Sequence, residues 1–451
     1  MVGVIGDIVA IIVLVVLAWR RWNGIVCALI ATLIAGVANG FGVWGTFNDY
    51  WLPAASDWMG TFVLMFLTSA MYAKVLGDSG AANRIAVWVF DKAGEKFVIP
   101  VLVLISMVLI YGGINAFVIV FVFWPLAVPI ARRLDKPRYI FLTIMYMGLL
   151  GPWNVAMPGS PQTGNVAAAE ILGASASAAP GIGVLVTVLW TAFDIWFALF
   201  LSRYAKRKGH HFEEGAGLDT PPRDIETCPG IVRSVVPLVV LLALFIVLGN
   251  GIGPIEGMSA TAAVVTANVI AMLVCLVLNR KYYGRPKSGL GYVEGMKRSV
   301  FEGVASSFSP TFTMLSMVSL AAVLSATPAF DYLINIAMNS VDNPYLQAVI
   351  ATQVLGVICG SAGATTTTVC NTLGAQWLAM PGVNPDALVR IVSIGSSGCS
   401  TVPYSGGLFV NLDVTGCQIK QVWPQQLVAV AVPSVLSALL AAALASAGLV
   451  F

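Results

Sequence analysis

Four short stretches hold the residues with the chemistry to bind a small polar molecule: Tyr111–Asn115, Pro158–Asn165, Gly360–Thr366 and Thr401–Gly406. They combine chain-breaking Gly and Pro with side chains that carry a hydroxyl or an amide. The candidate binding residues are Gly112, Gly113, Asn115, Ser160, Gln162, Thr163, Asn165, Ser361, Gly363, Thr365, Thr366, Thr401, Tyr404 and Ser405. None is charged. Small hydroxyls also glue membrane helices together, so the Gly and Pro positions weigh more than any single Ser or Thr. A broken helix presents free N–H groups and about half a positive charge at each new N-terminus, which suits a carboxylate. A di- or tricarboxylate calls for Arg forks, and no Arg or Lys lies in these stretches. The pattern predicts a site for a singly charged anion with hydroxyl groups, or for a zwitterion.

The surroundings are those of a membrane protein. Of 451 residues 58% are hydrophobic and only 10% charged, against about 25% charged in soluble domains. Uncharged stretches long enough to cross roughly 30 Å of hydrocarbon cover most of the chain. Spans are expected near 8–19, 22–48, 58–73, 171–193, 234–255, 257–279, 303–330 and 421–451. Ile8–Trp19 reads as a retained helix, because no basic region and small-residue cleavage site mark a signal peptide. The net charge of +3 is too weak to indicate a nucleic-acid partner. The cysteines form no CxxC pair and His210 and His211 stand together in a polar loop, so no metal or cofactor is expected.

Basic loops at Arg20–Arg21, Arg132–Arg138, Arg203–Lys208 and Arg280–Arg298 are predicted to be cytoplasmic. Segments near Asp49, Asp57, Asp331, Asp342 and Asp386 are predicted to be external, with Arg390 as the basic exception, and the N-terminus is then external as well. Two uncharged stretches are too long for one span: 97–131, broken at Tyr111–Asn115, and 343–385, broken at Cys359–Thr368. The arms of the first would be roughly 21–24 Å long at 1.5 Å per residue, short of a full crossing, so both stretches read as re-entrant hairpins entering from opposite sides. Each is followed by a helix broken by Pro and Gly, near 139–172 and 387–418. Irregular backbone survives at membrane depth only where it is buried in protein or lines a cavity.

The breaks recur in the same order at nearly the same offset: Gly112 with Gly360, Pro158 with Pro403. The expected architecture is an all-α polytopic protein of two inverted-topology repeats, 1–202 and 233–451, joined by a cytoplasmic linker at 203–232. Secondary transporters are built this way, with substrate bound where discontinuous segments meet. Uphill transport needs a coupling ion. Among acids in apolar stretches, Asp7 and Glu170 fall near span ends, leaving Asp194 and Asp413 as candidates to carry a proton; backbone carbonyls at the breaks could bind sodium instead. An anion channel is the rival reading. An enzyme is disfavoured by the lack of a nucleophile, metal cluster or paired acids.

LGDSGAANRIA (76–86), YGGINAFVIVFVFWPLA (111–127), MPGSPQTGN (157–165), ICGSAGATTTTVCNTLG (358–374) and LVRIVSIGSSGCSTVPYSGG (388–407) resemble the gluconate permease (GntP) family, in order along nearly the whole chain. That family belongs to the ion transporter superfamily. The resemblance implies a proton-coupled symporter of the bacterial inner membrane for gluconate, a related hydroxy acid, D-serine or 3-hydroxybutyrate. By superfamily analogy it also implies a homodimer with an elevator-like transport domain. It places the family's motif positions at Gly112–Asn115, Pro158–Gln162, Gly360–Gly363 and Pro403–Gly407. GSPQTGN is nearer to the short-chain-acid branch, and the Thr365–Thr368 run departs from the pattern.

Overall fold

Asn, Gly and Pro set where the helices start and stop. The computed structural model describes residues 2–20, 22–112, 119–175, 177–215, 219, 221–249, 259–283, 291–328, 332 and 341–450. They are helical, with no strand among them. Helix α1 (Val2–Trp19) turns into α2 (Gly24–Ala38) at Asn23, whose side chain accepts from the Ile25 N–H at 2.9 Å, an N-cap bond. Asn39 and Gly40 end α2. The next helix, α3 (Gly42–Asp78), runs 37 residues.

This corrects the expectation of a span ending at 48 and another starting at 58. Asp49 and Asp57 do not mark a loop; both lie on the exposed side of one continuous helix. A π-turn at Thr46–Trp51 stands just before Pro53. Such a local change of register absorbs the missing proline N–H without breaking the helix.

Helix α4 (Ala81–Tyr111) is interrupted by non-helical Gly94, which divides an amphipathic start from an apolar arm. That arm packs on α5 (Ile119–Leu134). Gly113 and Asn115, expected at the turn between them, and Asp331 lie outside the described residues. Then come α6 (Arg138–Leu149), the single turn α7 (Pro152–Val155), α8 (Thr163–Ile171) and the long α9 (Pro180–Lys208). The order continues with α10 (Ile231–Gly249), α11 (Ala260–Leu278), α12 (Tyr292–Ser325), the pair α13 (Pro344–Cys359) and α14 (Ala362–Leu378), α15 (Pro385–Cys399) and α16 (Gly406–Thr415). The last helix, α17 (Ile419–Ser446), carries a second π-turn at Leu427–Ala431.

Among the described residues six helices are long and apolar enough to cross a membrane. Their outward faces carry Val188, Trp196, Val277, Phe301 and Leu436, all exposed, as lipid contact requires. On α9 the rings of Phe193, Trp196, Phe200 and Tyr204 follow one another up to the basic last turn Lys206–Lys208, the pattern of an aromatic belt at a membrane boundary.

Two packing centres organise the helices. In one, α3 and α12 form the most extensive pair, flanked by α2, α11 and α16; Gly303 lets α12 lie directly on the Met71 backbone. In the other, α8 packs on α14 and α15, with α17 behind α15. The segment after α9 is strapped to the helices. Arg138 donates to both oxygens of Asp219 at 2.7 and 2.8 Å, and Arg84 donates to the Ile225 and Pro229 carbonyls at 2.8 and 2.9 Å.

Candidate substrate cavity

The breaks that free backbone groups also supply the side chains that satisfy them. In the first, between α6 and α8, Asn154 donates to the Leu149 carbonyl and Ser160 Oγ to the Asn154 carbonyl at 2.6 Å. Asn165 Nδ2 donates to the Ser160 carbonyl at 2.9 Å. Gln162 Nε2 reaches back to the Ile110 carbonyl at 2.8 Å, and the Tyr111 hydroxyl to the Pro158 carbonyl at 3.0 Å. The arm of α4 is thus stitched to the break. In the second, between α15 and α16, Thr401 Oγ1 donates to the Gly398 carbonyl at 2.6 Å and Trp423 Nε1 to the Thr401 carbonyl at 2.8 Å. The Tyr404 hydroxyl donates to the Val357 carbonyl of α13, and Ser397 Oγ crosses to the Leu150 carbonyl. Buried backbone groups without such partners would be costly.

A cavity of about 550 Å³ lies where these elements meet, within the range of small-molecule sites. Three helices begin at its wall. The N-cap residues are Gln162 for α8, Ser361 for α14 and Ser405 for α16, and none of these side chains bonds to its own helix. The first turns of three helices therefore meet at one space, a convergence of positive helix ends that favours negative charge. Helix α13 ends at the same wall, turning through Gly360 at φ 60°, a left-handed cap that glycine adopts freely. The opposite wall is apolar and belongs to α3 and α12: Trp58, Phe62, Met314, Met317, Leu320 and Leu324. No Asp, Glu, Lys or Arg is among the described lining residues.

Of the residues singled out in the sequence, Gln162, Thr163, Ser361, Gly363, Tyr404 and Ser405 line this cavity. Ser160, Asn165, Thr365, Thr366 and Thr401 lie behind it, buried. Thr365 Oγ1 donates to the Ser361 carbonyl at 2.8 Å, and Thr366 Oγ1 to Ser396 Oγ at 2.9 Å. Gly112 closes α4 away from the cavity wall. The structure adds Asn154, Gly164, Ser325, Thr367, Thr368, Ser396 and Ser400 to the lining. Most of these flank the breaks, and their neighbourhood was the available signal. Gly164 and Gly363 face each other closely: a methyl on Gly363 would lie 3.3 Å from Thr163 Oγ1.

Arg390 is the clearest departure from the sequence reading. It is not a basic exception in an external segment but a fully buried residue of α15. Its position, past the first turn of the helix, points it into the protein, where carbonyl oxygens receive its N–H groups.

The two acids expected to carry a proton have different surroundings. Asp194 on α9 is fully buried, and neither carboxylate oxygen accepts a hydrogen bond among the described residues. Asp413 on α16 accepts from Thr313 Oγ1 at 2.7 Å and Ser309 Oγ at 3.1 Å, both on α12. It lines a second cavity of about 260 Å³ with Trp19, Trp22 and Lys420.

An apolar helical belt around a cavity where broken helices meet an apolar wall marks a multi-pass membrane protein. The chain matches the GntP family permease model over residues 2–445 and belongs to that family, whose members are transporters rather than enzymes. It is 23% identical over 428 residues to the uncharacterized transporter YxjC of Bacillus subtilis strain 168, covering 88% of each chain. It is also 23% identical over 387 residues to the high-affinity gluconate transporter of Escherichia coli K12, covering 83% of each. The solved structure of the YdaH transporter of Alcanivorax borkumensis aligns with 97% of this chain and 99% of that one, at a TM-score of 0.43 and 14% identity.

Proposed function

We propose that this permease is a proton-coupled symporter of a small monocarboxylate, working in a bacterial inner membrane. The observation that carries the reading is the convergence of three helix N-termini on a cavity with no charged residue among its described lining residues. That arrangement stabilises one carboxylate and offers a second one nothing with which to pair. The hydroxyls of Ser361, Thr367, Thr368 and Ser405 suit a hydroxylated substrate. The apolar wall favours a hydrocarbon portion, so a short-chain hydroxy acid such as 3-hydroxybutyrate fits better than the polyol gluconate.

The order of α4 to α9 is matched by that of α13 to α17: hairpin, broken helix, long final helix. This supports two inverted repeats at 1–202 and 233–451, with re-entrant hairpins at their centres. The mainly apolar cavity wall of α3 and α12 beside the polar breaks supports a fixed scaffold beside a moving transport domain, and the superfamily resemblance supports a dimer. Asp194 serves the coupling role best: an ionised carboxylate buried in apolar surroundings is expensive, so taking up a proton relieves it. Asp413 is the second candidate, and sodium is the alternative ion.

Solute counterflow with the purified, reconstituted protein tests the reading without assuming an ion. The expected result is saturable exchange of 3-hydroxybutyrate, and more weakly of gluconate, with none of citrate or succinate. Exchange of citrate would overturn the single-carboxylate site. No exchange of gluconate, glycerate, lactate, 3-hydroxybutyrate or D-serine by folded protein would overturn the carrier reading in favour of a channel.

A further inference from the structure

The second cavity, of about 260 Å³, is built differently from the central one. It lies where two turns meet. The α1–α2 turn supplies Trp19, Trp22 and Gly24; the end of α16 and the start of α17 supply Phe409, Asp413 and Lys420. Gly24 allows the close approach: a methyl there would lie 2.8 Å from the Phe409 ring and 3.1 Å from Thr313 of α12. Alongside, the rings of Trp19 and Trp423 meet edge to face, 6.3 Å between centroids. Arg20 follows Trp19, and Arg138, from a basic stretch expected to be cytoplasmic, donates to the Thr415 carbonyl at the end of α16. The cavity therefore sits at the basic ends of these helices, the depth of the lipid headgroups.

Its described lining carries one charge of each sign. Asp413 accepts from Thr313 and Ser309 through one oxygen, Oδ2. Lys420 is exposed and makes no hydrogen bond or ion pair among the described residues, with Asp413 or any other. Two opposite charges thus share a cavity without closing on each other. A lone cation there would face the Lys420 ammonium and a lone anion the Asp413 carboxylate, each a repulsive contact. A molecule that carries an ammonium and an anionic group a few bonds apart matches both. Trp19 and Trp22 border the cavity at 43% and 51% exposure. Such amphipathic rings rest between headgroups and acyl chains, which favours a lipid over a free solute as the occupant.

We propose that this cavity binds the headgroup of a zwitterionic phospholipid, its ammonium at Asp413 and its phosphate at Lys420, and that the lipid fastens the α1–α2 turn to the α16–α17 turn. The inference is independent of what the central cavity carries.

Phosphatidylethanolamine and phosphatidylglycerol share the phosphate and differ in the ammonium. Each is titrated onto the purified, delipidated full chain, with the first bound lipid followed by native mass spectrometry and the fold checked by thermal unfolding. Wild type should bind phosphatidylethanolamine at least about tenfold more tightly, the effect of one charge-assisted hydrogen bond. Asp413→Asn should erase that preference, and Thr313→Ala, which spares the carboxylate, should keep it. Lys420→Gln should weaken both lipids by about tenfold. Equal binding of the two lipids by wild type would make the site a basic patch for any phosphate and overturn the proposal. So would a preference that survives in Asp413→Asn, or unaltered binding in Lys420→Gln, which decides the matter if the Asp413 variant does not fold. Free phosphoethanolamine lacks acyl chains to lie against the indoles and should displace the lipid only at far higher concentration. Displacement at equal concentration would give the cavity to a soluble zwitterion and overturn the lipid reading.

Discussion

Ser400 Oγ accepts the N–H of Ala362 at 2.6 Å, tying the tip of the α13–α14 pair to the break between α15 and α16. Both residues line the cavity, and the α14 N-cap, Ser361, leaves its own helix uncapped. Ser400 performs the capping from a distant part of the chain. Ser400→Ala should cost about 1 kcal/mol of stability, as loss of a cap does. It should also raise the counterflow KM severalfold by loosening the tip. A thermal unfolding curve and a KM that both match wild type would show that the bond fixes nothing.

The approach of Gly363 to Thr163 predicts a steep dependence on side-chain size. A methyl at Gly363 would sit 3.3 Å from Thr163 Oγ1, so Gly363→Ala should be absorbed by a small shift and keep transport within a few-fold. The branched side chain of Gly363→Val adds bulk both against Thr163 and into the cavity that Gly363 lines. It should cut the maximal exchange rate by about tenfold or more while the protein still folds. Normal exchange by the Val variant would mean that the two helix starts separate freely.

Proton coupling is tested by separating accumulation from exchange. Asp194→Asn should abolish uptake driven by an imposed pH gradient and preserve counterflow, because the site stays intact while the titrating carboxyl is gone. Asp413→Asn should retain most pH-driven uptake, its role being the link to Thr313 and Ser309 on α12. The reverse result would transfer the coupling role to Asp413. Intact pH-driven uptake in both variants would favour a sodium gradient as the driving force.

In the polar segment after α9, His211 bonds Asp135 at 2.6 Å and the Phe212 N–H bonds it at 3.1 Å. The His211 hydrogen bond, and then the backbone one, hold this exposed carboxyl below its ordinary value. A carboxyl lowered by folding contributes above its unfolded value of about 3.9 and loses that contribution as pH falls through its folded value. Amide protection at 210–215, taken relative to the unstructured rate at the same pH, should therefore stay high at roughly pH 5 to 7 and fall below about pH 3.9. In His211→Ala it should be low across the whole range. Protection indifferent to both pH and the substitution would show that Arg132 and Glu214 hold the segment without this pair.

Much of the architecture was legible in the sequence because its signals are local. Charge-free length marks membrane helices, and Gly and Pro cannot continue them, so residue types alone locate the breaks at Pro158–Asn165 and Thr401–Gly406. Their hydroxyls and amides fall on or beside the cavity for the same reason. What local signals do not carry is direction. Thr365 and Thr366 turn back into the protein while Thr367 and Thr368 line the cavity, because the rotation of α14 is set by its packing on α8 and α15. Asp49 and Asp57 look like loop acids, yet a π-turn before Pro53 keeps α3 continuous beneath them. Arg390 looks like a flanking charge until carbonyls from α7 and the start of α9, distant in the chain, close around it. Composition and spacing determined that this protein spans a membrane through interrupted helices. Tertiary packing alone decided which groups face the cavity, since contacts between residues more than two hundred positions apart orient them.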